Sequence, residues 1–216
     1  TGAGTPKKYM PKLKEAGVIV IPVVPSAKLA KKMEELGVDA VVAEGMEAGG
    51  HIGQVATMPL VAAVTKAVSI PVVAAGGFSD GRSLAAAFAM GAAGIQMGTV
   101  YLASEECPIP ASFTEKVLES IETSTVVTGR RNGAPVRTIR NAMTVHYLEL
   151  ENQDVPREEL EKLTMGSLAK AVVEGDVENG SLMAGQILGN IHSIRPVAQI
   201  HQEIIEEYRQ IKLPVL

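Results

Sequence analysis

The stretch Ala40-Val41-Val42-Ala43-Glu44-Gly45-Met46-Glu47-Ala48-Gly49-Gly50-His51-Ile52-Gly53-Gln54 decides the reading of the fold. Its short apolar opening, bounded by glycines, predicts a buried strand. The glycines that follow let backbone approach a ligand closely, and a titratable imidazole stands among them. A lone loop histidine is more often solvated or structural than catalytic. Its place at the C-terminal end of a strand, beside a glycine pair, makes His51 a candidate, and the surrounding sequence decides its role.

Outward from this stretch one unit repeats. Residues 18–24 read as a strand, and Ser26 caps a helix over 27–36 that Gly37 ends. A helix carrying Leu60, Val61, Val64 and Val68 follows the His51 loop. Residues 70–75 form the next strand, closed by Gly76-Gly77. Ser79 or Asp80 then caps a helix over 82–90, and residues 94–97 form a fourth strand before Gly98-Thr99. Strands alternating with helices predict βαβ units on a parallel sheet. A doubly wound sheet fits this rhythm almost as well, but glycine pairs after successive strands favour a (β/α)8 TIM barrel. The expected fold is α/β: the C-terminal part of such a barrel with a small appended α+β segment. Residues 1–4 read as the tail of one more strand. A half barrel leaves sheet edges unpaired, so roughly a third of the natural protein is expected upstream.

The rhythm breaks after Tyr101. A helix is expected over 113–122, short strands over 125–128 and 135–139, a helix over 157–173 with a break near Gly166, and a terminal helix over 196–211. This divides the chain into the barrel part (1–104), an inserted substrate-side segment (105–150) and C-terminal helices that pack back on the barrel (151–216).

Composition narrows the function. Aromatics are 3% of the 216 residues and Trp is absent, so the core is aliphatic. The net charge of -4 argues against a nucleic-acid binder, which needs clustered Lys and Arg. The single cysteine, Cys107, excludes an intrachain disulfide and fits a reducing compartment. It precedes Pro108 in a polar loop and reads as a bystander thiol. No apolar run approaches the roughly 18 residues of a membrane span. No signal peptide is visible, although the chain opens on Thr1.

Two glycine motifs point to phosphate. Gly76-Gly77 expose backbone N–H groups after one strand, with a helix N-terminus behind them. Gly98-Thr99 supply further donors after the next strand, an arrangement found at the phosphate site of many barrels. The alternative is that the glycines merely make tight turns. His51, His146, His192 and His201 are too scattered for a metal site. Glu44 and Glu47 flank the glycine-rich loop, where either would orient His51 or a ligand hydroxyl; the plainer reading of Glu47 is a solvated acid.

The string 44–53, with Ile70-Pro71-Val72-Val73-Ala74-Ala75-Gly76-Gly77, Gln96-Met97-Gly98-Thr99 and Gly180-Ser181-Leu182-Met183-Ala184-Gly185-Gln186-Ile187, resembles the bacterial FMN-dependent enoyl-acyl-carrier-protein reductases, type II. The resemblance runs over nearly the whole chain. The superfamily includes the nitronate monooxygenases, which share the Glu-Ala-Gly-Gly-His loop. Glu44 stands where monooxygenases often have Gln, and Ile52 where they often have Arg.

The resemblance implies FMN bound by Gly2, Ala3, Glu44, Gly49, Gly50, Ala75, Gly76, Gly77, Gln96, Met97, Gly98 and Thr99, and no metal. It implies NADH or NADPH as co-substrate, and hydride delivered by way of the flavin to the β-carbon of a 2-enoyl thioester. His51 is then the catalytic residue over the flavin. The expected setting is cytoplasmic fatty-acid biosynthesis, with an acyl-carrier-protein-linked substrate and a homodimeric protein. The alternatives are a nitronate monooxygenase, in which His51 acts as a base, or an inactive fragment that needs its upstream part. An IMP-dehydrogenase-like barrel would need a catalytic cysteine on a central loop, and Cys107 lies beyond the last strand. An acidic carrier needs a basic docking patch, for which Arg130, Arg131, Arg137 and Arg140 are the candidates.

Overall fold

A computed structural model describes residues 5–212. Gly2 and Ala3, and with them the expected strand tail at residues 1–4, lie outside the described residues. In chain order the elements begin with α1 (Met10–Glu15), β1 (Val23–Val24), α2 (Ala27–Glu35), β2 (Val41–Glu44) and β3 (Gly50–His51). Then come α3 (Thr57–Ala67), β4 (Val72–Ala75), α4 (Gly81–Ala89) and β5 (Gly94–Gln96). The second half holds α5 (Ala111–Leu118), β6 (Thr125–Thr128), β7 (Val136–Ile139), α6 (Ala142–Asn152), α7 (Arg157–Thr164), α8 (Ser167–Ala169) and α9 (Val197–Gln210). Two compact units result. One takes the described residues up to Glu47, residues 53–97 and those from Gln202 onward; the other takes residues 48–52 and 98–201.

In the first unit β1, β2, β4 and β5 pair side by side, all parallel. The order follows the chain without the reversal that marks a doubly wound sheet, as in a barrel wall. Register defines the two faces. Val24, Ala43, Ala74 and Ile95 lie in one row. That face meets Ala30 and Met33 of α2 and Leu60, Val61 and Val64 of α3 in one apolar cluster. The neighbouring row is Glu44, Ala75 and Gln96. Successive strand residues point to opposite faces, so this row turns away from the helices.

Local chemistry sets the helix starts. Ser26 caps α2 by accepting from Leu29 N at 3.2 Å. Asp80, not Ser79, caps α4, in a reciprocal box with Ser83. The strand expected over 18–24 shrinks to Val23–Val24. Pro22 and Pro25 bracket it, and proline has no N–H to donate. Val20 turns to Asp39 instead: its N–H donates to Asp39 Oδ2 at 2.7 Å, and Asp39 N–H returns to the Val20 carbonyl.

The second unit carries an antiparallel sheet ordered β3-β7-β6. His51 therefore sits on a strand, not in the expected loop. The helix expected over 113–122 begins and ends earlier, as α5. Helix α6 has no counterpart in the sequence reading. The helix expected over 157–173 is broken where a break was expected: α7 stops at Thr164, and Gly166 takes a left-handed φ of 75° before α8 and a π turn over Lys170–Glu174. Residues 151–201 share this unit with 105–150, a grouping that cuts the chain differently from the three-part division. No helix among the described residues is long and apolar enough to cross a membrane.

Candidate active site

The first unit places Glu44, Ala75 and Gln96 side by side at the C-terminal ends of three adjacent strands. Register alone joins these three residues. Glu44 is half-buried, and burial raises its carboxyl above the usual carboxylate range. Met97 packs its side chain against the apolar core, which leaves its backbone for a ligand.

Gly76 and Gly77 follow β4 with φ of 88° and 84°, a region that favours glycine. A Cβ on Gly76 would lie 2.8 Å from the Gly45 carbonyl oxygen, so packing demands this glycine before any ligand does. Gly77 is open: a Cβ added there would meet only side-chain carbons of Glu47, at 3.5 Å and beyond. Its N–H has no acceptor among the described residues.

The helix behind the glycines offers less than its N-terminus suggests. The N–H groups of Ser79 and Asp80 donate to Ser83 Oγ, that of Ser83 to Asp80, and that of Gly81 to Glu207 Oε2 at 2.8 Å. Two carboxylates thus occupy the anion-attracting end of α4. Glu47 is half-buried and engaged within the first unit. Its carboxylate accepts from Thr57 N at 3.0 Å and lies 2.7 Å from Thr57 Oγ1, which caps α3 where Ala56 has no side chain to do so. Thr57 Oγ1 also lies 2.8 Å from the Gly76 carbonyl. With a single proton, this hydroxyl donates to one of the two oxygens at a time.

The second unit brings three remote motifs together. Gly49 lies against Ala184, whose backbone would be 2.7–2.9 Å from a Cβ at position 49. Gly50, with φ of 77°, faces Met183 Sδ. Thr99 Oγ1 accepts from Gly185 N at 2.8 Å. Gly98 has φ of -128° and open space where a side chain would be. His51 is exposed and pairs with Val136 across the sheet. It borders a cavity of about 300 Å³ in this unit, together with Thr138, Tyr147 and Met183. Burial raises the Tyr147 phenol above its ordinary value.

Thr57, Thr138 and Tyr147 escape the sequence reading. Thr57 carries a usable signal, a hydroxyl at the start of an apolar helix; the other two carry none. Among the described residues no group of His, Cys, Asp and Glu is arranged to hold a metal. The expected arginine patch is thinner than its sequence suggests. Arg137 is 5% exposed and donates to Thr125 Oγ1, while Arg131 pairs with Asp154 at 2.7 Å. Arg130 and Arg140 remain exposed.

Comparison with known proteins gives this arrangement its family. Residues 1–207 match the nitronate monooxygenase family. A probable nitronate monooxygenase of Staphylococcus aureus is 35% identical over 211 residues, 93% of this chain and 59% of that protein. A (3aS,4S,5R,7aS)-5-hydroxy-7a-methyl-1-oxo-octahydro-1H-indene-4-carboxyl-CoA dehydrogenase of Rhodococcus jostii is 48% identical over 143 residues, 66% of this chain and 40% of that one. The chain thus spans about two fifths to three fifths of these relatives' length. Among solved structures, FabK from Thermotoga maritima superposes with a TM-score of 0.93 at 48% identity, over 97% of this chain and 67% of that one. A nitroalkane oxidase from Streptomyces ansochromogenes superposes at 0.79 with 28% identity, over 94% and 61%. With a match over nearly its whole length, the chain belongs to the nitronate monooxygenase family.

Proposed function

We propose that this chain carries the flavin and acceptor sites of an FMN-dependent oxidoreductase that uses NADH or NADPH to reduce the 2,3 double bond of enoyl-acyl-carrier-protein thioesters. The observation that carries this reading is the cavity beside His51. About 300 Å³, with Met143, Leu168 and Met183 in its wall, suits an acyl group better than a small nitronate. The similarity to Thermotoga maritima FabK over 97% of the chain favours the same side. Ile52, 7% exposed, supplies an apolar side chain where monooxygenases often have Arg.

The residues fit a flavin phosphate. In the first unit Gly77, and in the second Gly98, each offers a backbone N–H beside a missing side chain, and nothing lies within 4 Å of the Cβ position at Gly98. FMN, when bound, supplies hydride transfer between the nicotinamide and the acceptor. The protein's part is to hold and orient. Gly49 and Gly50 keep the His51 strand close to Met183 and Ala184, and His51 orients the thioester and serves the proton that the α-carbon gains. The reaction balances as NADH, a proton and the enoyl thioester giving NAD⁺ and the saturated thioester. Arg130 and Arg140 are the exposed cations available to an acidic carrier.

The second reading, oxidation of alkyl nitronates, has the Staphylococcus aureus relative in its favour. The test sets the two acceptors against each other on the flavin-loaded full-length protein. Crotonyl thioester with NADH should be turned over, and propionate-3-nitronate with oxygen should not. The reverse outcome rejects the reductase.

A further inference from the structure

The cavity beside His51 has a seam in its wall. Thr128, Asn132, Ala134 and Val136 come from the β6–β7 hairpin, and Met143 and Tyr147 come from α6. Whatever ties the hairpin to the helix sets the width of the cavity along that seam. Inside the hairpin, Ala134 N–H donates to the Gly129 carbonyl and Gly133 N–H to the Arg130 carbonyl. These bonds shape the turn without tying it to α6. The Asn132 Nδ2 is buried with no hydrogen-bond partner among the described residues, so this nitrogen adds no tie.

Arg131 crosses the seam with both its backbone and its side chain. Its N–H donates to Glu151 Oε1 at 3.1 Å, and its Nη1 donates to the Glu151 carbonyl at 3.2 Å. The same Nη1 donates to Asp154 Oδ1 at 2.7 Å. Backbone and side chain of the two residues are thus bonded reciprocally. Both acids stand where local energetics disfavours them. Glu151 is 5% exposed in the last turn of α6, where the helix dipole opposes negative charge and burial opposes it again. Asp154, with φ of 56°, is the non-glycine residue of left-handed backbone among the described residues. Each carboxylate is directed at Arg131.

We propose that Arg131 and Glu151 form a clasp that fixes the width of the cavity for the acyl chain. They are positioning residues of the acyl site, acting through the hairpin wall, and Arg131 is withdrawn from any carrier-docking patch. The inference rests on the thioester reading of the His51 site, because His51 borders the same cavity. With the clasp open, the wall packs less closely on a chain. A thioester without a chain has nothing to lose at the seam.

The test is calorimetric titration of the flavin-loaded full-length protein with octanoyl-CoA and acetyl-CoA. Both are saturated, so no turnover is needed. Wild type should bind octanoyl-CoA the tighter. Arg131→Ala and Glu151→Ala should each weaken octanoyl-CoA roughly fivefold, the scale of one net hydrogen bond, and leave acetyl-CoA unchanged. Glu151→Gln keeps an oxygen to accept the Arg131 N–H and should restore octanoyl binding. Lys162→Ala breaks another ion pair of the same unit, Lys162 with Glu159 at 2.7 Å, and should alter neither affinity. Unfolding curves check that each variant is folded. The Arg131 side chain is half exposed, so Arg131→Ala carries the test if Glu151→Ala does not fold. A wild type that binds both thioesters equally overturns the proposal. So does octanoyl binding that survives Arg131→Ala, or an equal loss for both thioesters in that variant. Reduction of oct-2-enoyl-CoA by NADH, measured alongside on the wild type, judges the reductase reading by itself. An inactive wild type whose octanoyl binding still depends on the clasp has lost the reaction assignment and kept the acyl site.

Discussion

The two units hold their candidate residues by different means. In the first, Glu44, Ala75 and Gln96 come together because three parallel strands share a register. In the second, Gly49, Gly50 and Thr99 are held by direct contact with the segment 183–185, more than eighty residues away in sequence. Register tolerates side-chain exchange, since the backbone ladder does the positioning. Close backbone contact does not, since one methyl group separates the partners. The three residues held by register are thus robust and the three held by contact fragile.

Chemistry should give the largest effect. His51→Ala leaves the β3 ladder intact and should lower turnover by roughly 10²-fold, the usual scale for a positioned acid or base, with the bound-flavin spectrum nearly unchanged. Wild-type rates in this variant would make the histidine a bystander at the cavity's edge.

Next in size is the glycine contrast. Gly49→Ala pushes a methyl into the Ala184 backbone and should destabilise by about 1–3 kcal/mol. Gly98→Ala, with open space and no left-handed backbone, should stay within about 0.5 kcal/mol of wild type in urea unfolding. Gly98→Val should then weaken FMN binding without a matching loss of stability. Equal stability losses at positions 49 and 98 would erase the distinction between contact and open space.

A smaller effect tests the first unit's own exception to register. Glu47→Ala removes the carboxylate that accepts from Thr57 N and should cost about 0.5–2 kcal/mol, as loss of a helix cap does. Glu47→Gln should recover part of it. Unchanged unfolding in Glu47→Ala would return this residue to the solvent.

The smallest effect is a pH slope. Burial raises the Glu44 carboxyl in the folded chain, so the folded state binds its proton more tightly than the unfolded state. Its contribution to stability is present at low pH and declines as pH climbs from the ordinary carboxylate value through the raised one. Glu44→Gln should flatten that part of the curve. An identical pH profile in the variant would mean that Glu44 is solvated in the folded chain.

The same contrast explains what is legible in the sequence. Helices α2 and α4 can be read from Ser26 and Asp80, because a cap acts on the N–H of a residue three positions away. The parallel pairing follows from the alternation of strands and helices, while the sheet order leans on the glycine pairs that favour a barrel over a doubly wound sheet. Helix α6 escapes because its apolar residues follow no clear stripe; the Asn141 and Thr144 box at its start is the available clue. His51 is legible as a residue but not as part of a strand, since the partner that makes it one, Val136, lies in a hairpin far along the chain. Thr138 is invisible for the same reason: only the folded chain shows which hydroxyls already have partners. The engagement of the α4 N-terminus is hidden as well, since Glu207, the residue that takes the Gly81 N–H, lies over a hundred positions downstream.

Gly45, Thr57 and Gly76 form a knot with a bearing on descent. A side chain at Gly45 would collide with Thr57, and one at Gly76 would strike the Gly45 carbonyl and come within 3.1 Å of Thr57 Oγ1. Backbone atoms stand among the obstacles at both glycines, so a change in a neighbour's side chain alone opens neither position. Lineages that keep this loop should keep both glycines, a signature that can be sought in gene histories without purifying a single protein.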